Sequence, residues 1–74
     1  MKLNEGERHL YEFQNGMSGS FFDNLFHAIF KADMTNAAKL ALGFPEEVRA
    51  AKRFQNEDGY WDKVQKAYIN EKEF

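Results

Sequence analysis

The sequence predicts an all-α fold, a compact single domain of four or five short helices. In the longest apolar stretch, residues 21–30, apolar residues recur at helical spacing. Valine and isoleucine occur only at positions 29, 48, 64 and 69, which disfavours a β-rich core. Glycines and the single proline divide the chain into short segments of helical length.

The length of 74 residues predicts a single small helical domain spanning 1–74. We expect fraying at residues 1–6 and 72–74, because chain ends make few contacts. The chain has no cysteine, so neither a disulfide nor a thiolate zinc site can stabilise it. Aromatic residues make up 16% of the sequence, and large buried rings supply the core of such a small domain.

The first predicted helix runs from Glu7 to Gln14 and places Leu10 and Phe13 on one face. Asn15 and Gly16 then end it, because both residues accept a left-handed backbone at a helix C-terminus.

The second predicted helix, from Phe21 to about Ala32, has the clearest pattern. Ser20 is its expected N-cap, with Asp23 in the position of a capping-box acid. The stretch NGMSGS before it has glycines but no lysine followed by Ser or Thr, so we interpret it as helix stop and start signals. An anion at the helix N-terminus is the less favoured alternative. The apolar stripe comprises Phe21, Phe22, Leu25, Phe26, Ile29 and Phe30.

Three further helices are expected in the C-terminal half. One starts at Thr35 or Asn36 and ends at Gly43, and the next begins at Pro45, where proline suits a first helical turn. Residues 56–59 form a turn or kink, and the last helix runs from Tyr60 to about Lys72 with Trp61, Val64 and Tyr68 on one face. The predicted core comprises Phe22, Leu25, Phe26, Ile29, Phe54, Trp61 and Val64.

The two histidines are the candidate catalytic or metal-binding residues. His9 follows Glu5 and precedes Glu12 at helical spacing, but such charged faces are usually solvated. A hydrogen bond from Asp23 could orient the His27 ring, as in a catalytic triad. No nucleophile accompanies this pair, since Ser18 and Ser20 are assigned to capping. We therefore expect no enzyme activity, no cofactor, no metal and no small-molecule substrate.

Aromatic residues beyond the needs of a small core indicate an interaction surface. In the pairs Phe21–Phe22 and Tyr60–Trp61, neighbouring side chains diverge by about 100°, so one of each projects outward. Phe44, held between Gly43 and Pro45, either closes the core, which we favour, or stands outside. The candidate aromatic surface comprises Phe21, Phe44 and Tyr60.

A second candidate surface is the basic face of Arg49, Lys52 and Arg53, which fall at helical spacing. It could hold phosphates, but Glu46 and Glu57 are placed to pair with it. The formal net charge of −2 gives no long-range attraction to nucleic acid. No apolar run is long enough for a membrane span, and no signal peptide begins the chain, so we expect a cytoplasmic protein.

Residues 15–64 carry four short motifs, GSFF, LFHAIFKAD, KLALGFPEEV and DGYW. In these motifs the chain resembles a group of small proteins encoded by phages, prophages and related mobile elements of bacteria. That group has no established activity, so the resemblance assigns no functional residue. It implies a bacterial host cytoplasm and a mobile-element gene.

The sequence thus favours a non-enzymatic protein-interaction module that binds a protein partner or a second copy of itself. The alternative is a nucleic-acid-associated accessory protein that uses Arg49, Lys52 and Arg53.

Overall fold

The computed structural model describes residues 1–72, which form five helices and contain no strand. The all-α prediction is confirmed, and the expected fraying at residues 73–74 lies outside the described residues. In chain order the helices are α1 (Glu5–Gln14), α2 (Ser20–Lys31), α3 (Met34–Gly43), α4 (Pro45–Asn56) and α5 (Tyr60–Lys72).

Helix α4 lies at the centre and packs against each of the other four helices. Its Val48, Ala50 and Ala51 are buried, and the two small alanines let neighbouring helices approach closely. Three members of the apolar stripe of α2 are buried, Leu25, Phe26 and Ile29, and Phe26 is fully enclosed. The main core cluster comprises Leu10, Leu25, Phe26, Ile29, Val48, Ala50 and Ala51.

Three aromatic side chains predicted for the core are half-buried and pack against this cluster: Phe22, Phe54 and Trp61. Phe54 meets Trp61 edge to face, with ring centroids 4.9 Å apart. Phe44 is also half-buried against the cluster, in agreement with the favoured core-closing position.

The N-terminal segment contacts the rest of the chain. Helix α1 begins two residues early because Asn4 caps it: the Asn4 side chain accepts from the Glu7 N–H, and the Glu7 carboxylate accepts from the Asn4 N–H. Leu3 is buried. Gly6, interpreted from sequence as a break, lies inside α1, where a Cβ atom would overlap the Glu46 carbonyl carbon.

The turn after α1 is a Schellman motif, and it ends the helix where the sequence predicts. Gly16 has φ of 68°, the Met17 N–H donates to the Glu12 carbonyl at 2.7 Å, and the Gly16 N–H donates to the Phe13 carbonyl. The left-handed backbone at position 16 is why glycine is needed there.

Two further predicted helix starts are wrong by one or two residues. Gly19, not Ser20, is the N-cap of α2, and no side chain caps that end. Asp23 instead accepts a hydrogen bond from the Ser18 hydroxyl. Helix α3 begins at Met34 because the Asp33 side chain accepts from the Asn36 N–H at 2.8 Å.

The bounds of α5 match the prediction, and Val64 and Tyr68 of its predicted face are buried, but Tyr60 is buried where Trp61 was expected. The buried side chains form a second cluster with Leu3, and Trp61 is half-buried beside it. A turn at Gly59, with φ of 81°, places Tyr60 rather than Trp61 toward the interior. The α5 members of this cluster are Tyr60, Val64, Ala67 and Tyr68.

Candidate functional site

The outer face of α3 carries the most exposed large apolar side chains of the described chain. Met34 and Leu42 are 89% and 88% exposed, and Ala38 between them is also exposed. A spacing of four residues places all three on one side of the helix. We call Met34, Ala38 and Leu42 the α3 stripe.

The packing of α3 explains why this stripe stays uncovered. The helix makes its main contacts with α4, against which it turns the buried Ala37 and the half-buried Leu40 and Ala41. The stripe lies further around the helix, centred about 100° from these packed side chains, and lines an open depression of about 530 Å³ together with Thr35 and Lys39.

Two exposed lysines lie beside the stripe, and a third lies next to one of them. Lys39 lines the same depression as Met34 and Leu42, and Lys52 of α4 lines a smaller one that also includes Met34. Lys31 of α2 shares a third depression with Lys39. Within residues 1–72, none of these lysines lies within 4.0 Å of a carboxylate. We call Lys31, Lys39 and Lys52 the lysine rim.

Two of the three rings predicted to form an aromatic surface lie together. Phe21 is 60% exposed and its centroid lies 5.8 Å from that of the half-buried Phe44. Phe22 meets Phe21 edge to face at 5.1 Å. These rings form an aromatic corner in which Phe21 is exposed and Phe22 and Phe44 are half-buried.

Tyr60, the third predicted surface ring, is buried, with 2% of its area exposed. Its hydroxyl donates to Glu7 Oε2 at 2.8 Å. Burial, and then this hydrogen bond, raise the pKa of Tyr60 well above the usual tyrosine value. The prediction that Tyr60 projects outward is wrong because the Gly59 turn directs it inward.

The predicted basic face is only partly available. Arg49 and Lys52 are exposed, whereas Arg53 donates from Nε and Nη2 to Glu57, both at 2.8 Å. The Arg53 guanidinium also lies 4.1 Å from the Tyr60 ring centroid. The hydrogen bonds to Glu57 raise the pKa of Arg53 and lower that of Glu57. Arg53 is therefore engaged within the protein.

His9 is held between two helices. Its Nδ1 lies 2.7 Å from Oε2 of the buried Glu47, and its ring stacks on Phe22 with centroids 3.9 Å apart. Sequence reasoning missed this pair because 38 residues separate the partners.

His27 is exposed and stands edge-on to Phe13, with ring centroids 5.3 Å apart. Its possible partner Asp23 accepts from Ser18 instead. Among residues 1–72, no three His, Cys, Asp or Glu side chains are grouped so that they could hold a metal ion.

The α3 stripe was not among the residues predicted from sequence. The sequence does contain the pattern of an apolar helix face, since Met34, Ala38 and Leu42 are spaced by four residues. However, Ala37, Leu40 and Ala41 give α3 a second apolar side, and the sequence alone does not show which side is covered.

No helix in the described part of the chain has the length and apolar character needed to cross a bilayer. No family model, curated protein or solved structure matches the chain. The resemblance to proteins of bacterial mobile elements therefore stays a prediction.

Proposed function

We propose that the protein is a non-enzymatic interaction module that binds a protein partner through the α3 stripe. The observation that carries this proposal is the exposure of Met34 and Leu42, at 89% and 88%. Covering one such side chain is worth about 1.5–3 kcal/mol, so a partner that covers both gains a substantial contact. Because α3 packs mainly on α4, these two side chains stay uncovered within the protein and a partner can bury them.

The resemblance of residues 15–64 to mobile-element proteins extends the proposal to a bacterial cytoplasm. It makes a bacterial lysate the first source in which to seek the partner.

The proposal assigns no catalytic role to the histidines, because each has a structural contact. His9 joins α1 to α4 through Glu47 and packs on Phe22, and His27 packs against Phe13. A double variant His9→Ala, His27→Ala that abolished a turnover measured with the intact protein would contradict this part of the proposal.

Nucleic-acid association through Arg49, Lys52 and Arg53 is less well supported, because Arg53 already binds Glu57 and stacks on Tyr60. A mobility-shift assay at low salt tests it. We expect no shift with DNA or RNA, and a shift that disappears in an Arg49→Glu, Lys52→Glu variant would favour this alternative.

Affinity capture from a bacterial lysate tests the proposed function. The intact protein is compared with a Met34→Ser, Leu42→Ser variant and with a control, Met17→Ser, Ile69→Ser, which removes apolar side chains that are 57% and 48% exposed elsewhere. Sedimentation of the purified protein checks for self-association through the same stripe.

We expect a captured protein, or a dimer, that is lost with the stripe variant and retained with the control. Both variants should keep the free energy of unfolding within about 0.5 kcal/mol of the parent protein, because the replaced side chains are exposed. A monomer whose captures are the same for all three proteins would contradict the proposed function.

A further inference from the structure

We infer that the α3 stripe binds an amphipathic helix of the partner protein whose apolar face is flanked by carboxylates. This inference rests on the proposed function and specifies the chemistry of the partner. It follows from two independent features of the surface, its shape and its charge.

The shape of the stripe suits a helix that crosses α3 at Ala38. Met34 and Leu42 are eight residues apart, which separates them by about 12 Å along the helix axis. A helix with its side chains is about 10 Å wide. The small Ala38 side chain lets the two backbones approach, while Met34 and Leu42 contact the incoming helix on either side.

The positive charge around the stripe favours a partner helix that has acidic side chains on both sides of its apolar face. Lys31, Lys39 and Lys52 are exposed and have no carboxylate within 4.0 Å among the described residues. Asp33, the acid that lines a depression next to Met34, already accepts the Asn36 N–H as the α3 cap. Carboxylates on the partner helix would thus meet cations that lack ion-pair partners among residues 1–72.

The same charges disfavour a second copy as the occupant. Pairing two α3 stripes would bring one lysine rim against the other, and juxtaposed like charges lower affinity. An anionic membrane would also satisfy the lysines, but Met34 and Leu42 give it only two large apolar side chains, fewer than an interfacial helix uses.

A pair of synthetic peptides tests the inference on the intact protein. Each is a helix of about three heptads with leucine at positions a and d. One peptide carries glutamate at the flanking e and g positions, and the matched peptide carries lysine there. Methyl NMR signals of Met34, Ala38 and Leu42 report contact with the stripe, and the signals of Leu25 and Val64 report the core.

We expect the glutamate peptide to shift the three stripe signals and to bind at least about tenfold more tightly than the lysine peptide at low salt. The Lys39→Glu variant should bind the glutamate peptide more weakly. The control variant Lys66→Glu, which changes an exposed lysine on α5, should bind it with unchanged affinity.

Equal affinity of both peptides at the stripe would overturn the acidic-helix inference and leave the proposed function standing. Absence of shifts at the stripe with the glutamate peptide would also overturn it. Stripe signals that respond to phosphatidylglycerol vesicles but not to the glutamate peptide would assign the surface to a membrane instead. The proposed function is tested separately, by the capture and sedimentation experiments.

Discussion

Tyr60 donates a 2.8 Å hydrogen bond to Glu7 from 53 residues away in the sequence, and both side chains are buried. The other Glu7 oxygen accepts the Asn4 N–H at 3.0 Å. One carboxylate therefore joins the start of α1 to the start of α5. Because both oxygens have donors, the burial of this acid is tolerated.

Replacing Tyr60 with phenylalanine keeps the ring but removes the donor to Glu7. We expect the Tyr60→Phe variant to lose about 1.5–3 kcal/mol of stability, since the hydrogen bond is made to a charged, buried acceptor. Urea denaturation measures this loss. Tyr68→Phe is the comparison: its bond to Glu12 is longer, at 3.2 Å, and only partly buried, so its loss should be smaller. Equal losses would contradict the special role of Glu7.

The stability of the protein should depend on Tyr60 at alkaline pH. Tyrosine in an unfolded chain deprotonates near pH 10, about its ordinary value. Burial and the hydrogen bond to Glu7 raise the pKa of Tyr60 in the folded protein. The resulting stabilisation is complete below about pH 10 and is lost as the pH rises toward the raised value.

Urea denaturation of the parent protein and Tyr60→Phe at about pH 9 and pH 11 measures this dependence. The stability gap between the two proteins should narrow at the higher pH. A gap that stays constant would show that Tyr60 titrates alike in the folded and unfolded chains.

Gly6 should resist substitution because α1 and α4 touch at its backbone. The added Cβ of Gly6→Ala would meet the Glu46 carbonyl group and the Glu47 nitrogen, and backbone atoms cannot rotate away. We expect a loss of about 1–3 kcal/mol, despite the higher helix propensity of alanine.

Gly43→Ala is the matched control, since a Cβ there meets no atom within 4 Å and φ is not positive. It should be neutral or stabilise the protein by up to about 1 kcal/mol. Thermal denaturation of both variants measures these changes in stability. Equal changes for Gly6→Ala and Gly43→Ala would argue against the close approach of α4 at Gly6.

Glu71 connects the N-terminal segment to α5. Its carboxylate accepts the Leu3 N–H at 3.1 Å and also binds Arg8, and these contacts lower the pKa of Glu71. Its stabilisation is therefore present above the unfolded value of about 4.3 and is lost as the pH falls through the lowered folded value.

Glu71→Gln should destabilise the protein at neutral pH, and its difference from the parent should shrink on acidification. Denaturation at about pH 7 and pH 3 tests this window. Arg8→Gln keeps the Leu3 hydrogen bond and should have the smaller effect at neutral pH. If the stability difference between Glu71→Gln and the parent protein is the same at both pH values, the negative charge of Glu71 does not have the assigned stabilising role.

The sequence predicted the helices well where the local signal was strong. The periodic rings of α2, the proline at the start of α4 and the Asn15–Gly16 stop each act within a few residues. Their physical causes are local, so neighbouring residues were enough to recognise them.

Other features depend on partners distant in sequence. Gly6 has the pattern of a break, but the approach of α4 requires a glycine inside a helix. The choice between Tyr60 and Trp61 as the buried ring depends on the Gly59 turn and on Glu7. The exposure of Met34 and Leu42 depends on which side of α3 meets α4, and local periodicity does not encode that choice.

Photocrosslinking in bacterial cells tests the role of the α3 stripe most directly. A benzophenone amino acid replaces Ala38, at the centre of the stripe, and in a control protein replaces Lys66 on α5. We expect position 38 to give a discrete heavier adduct that disappears with Leu42→Ser, and position 66 to give none. No adduct from position 38, or the same adducts from both positions, would contradict the account.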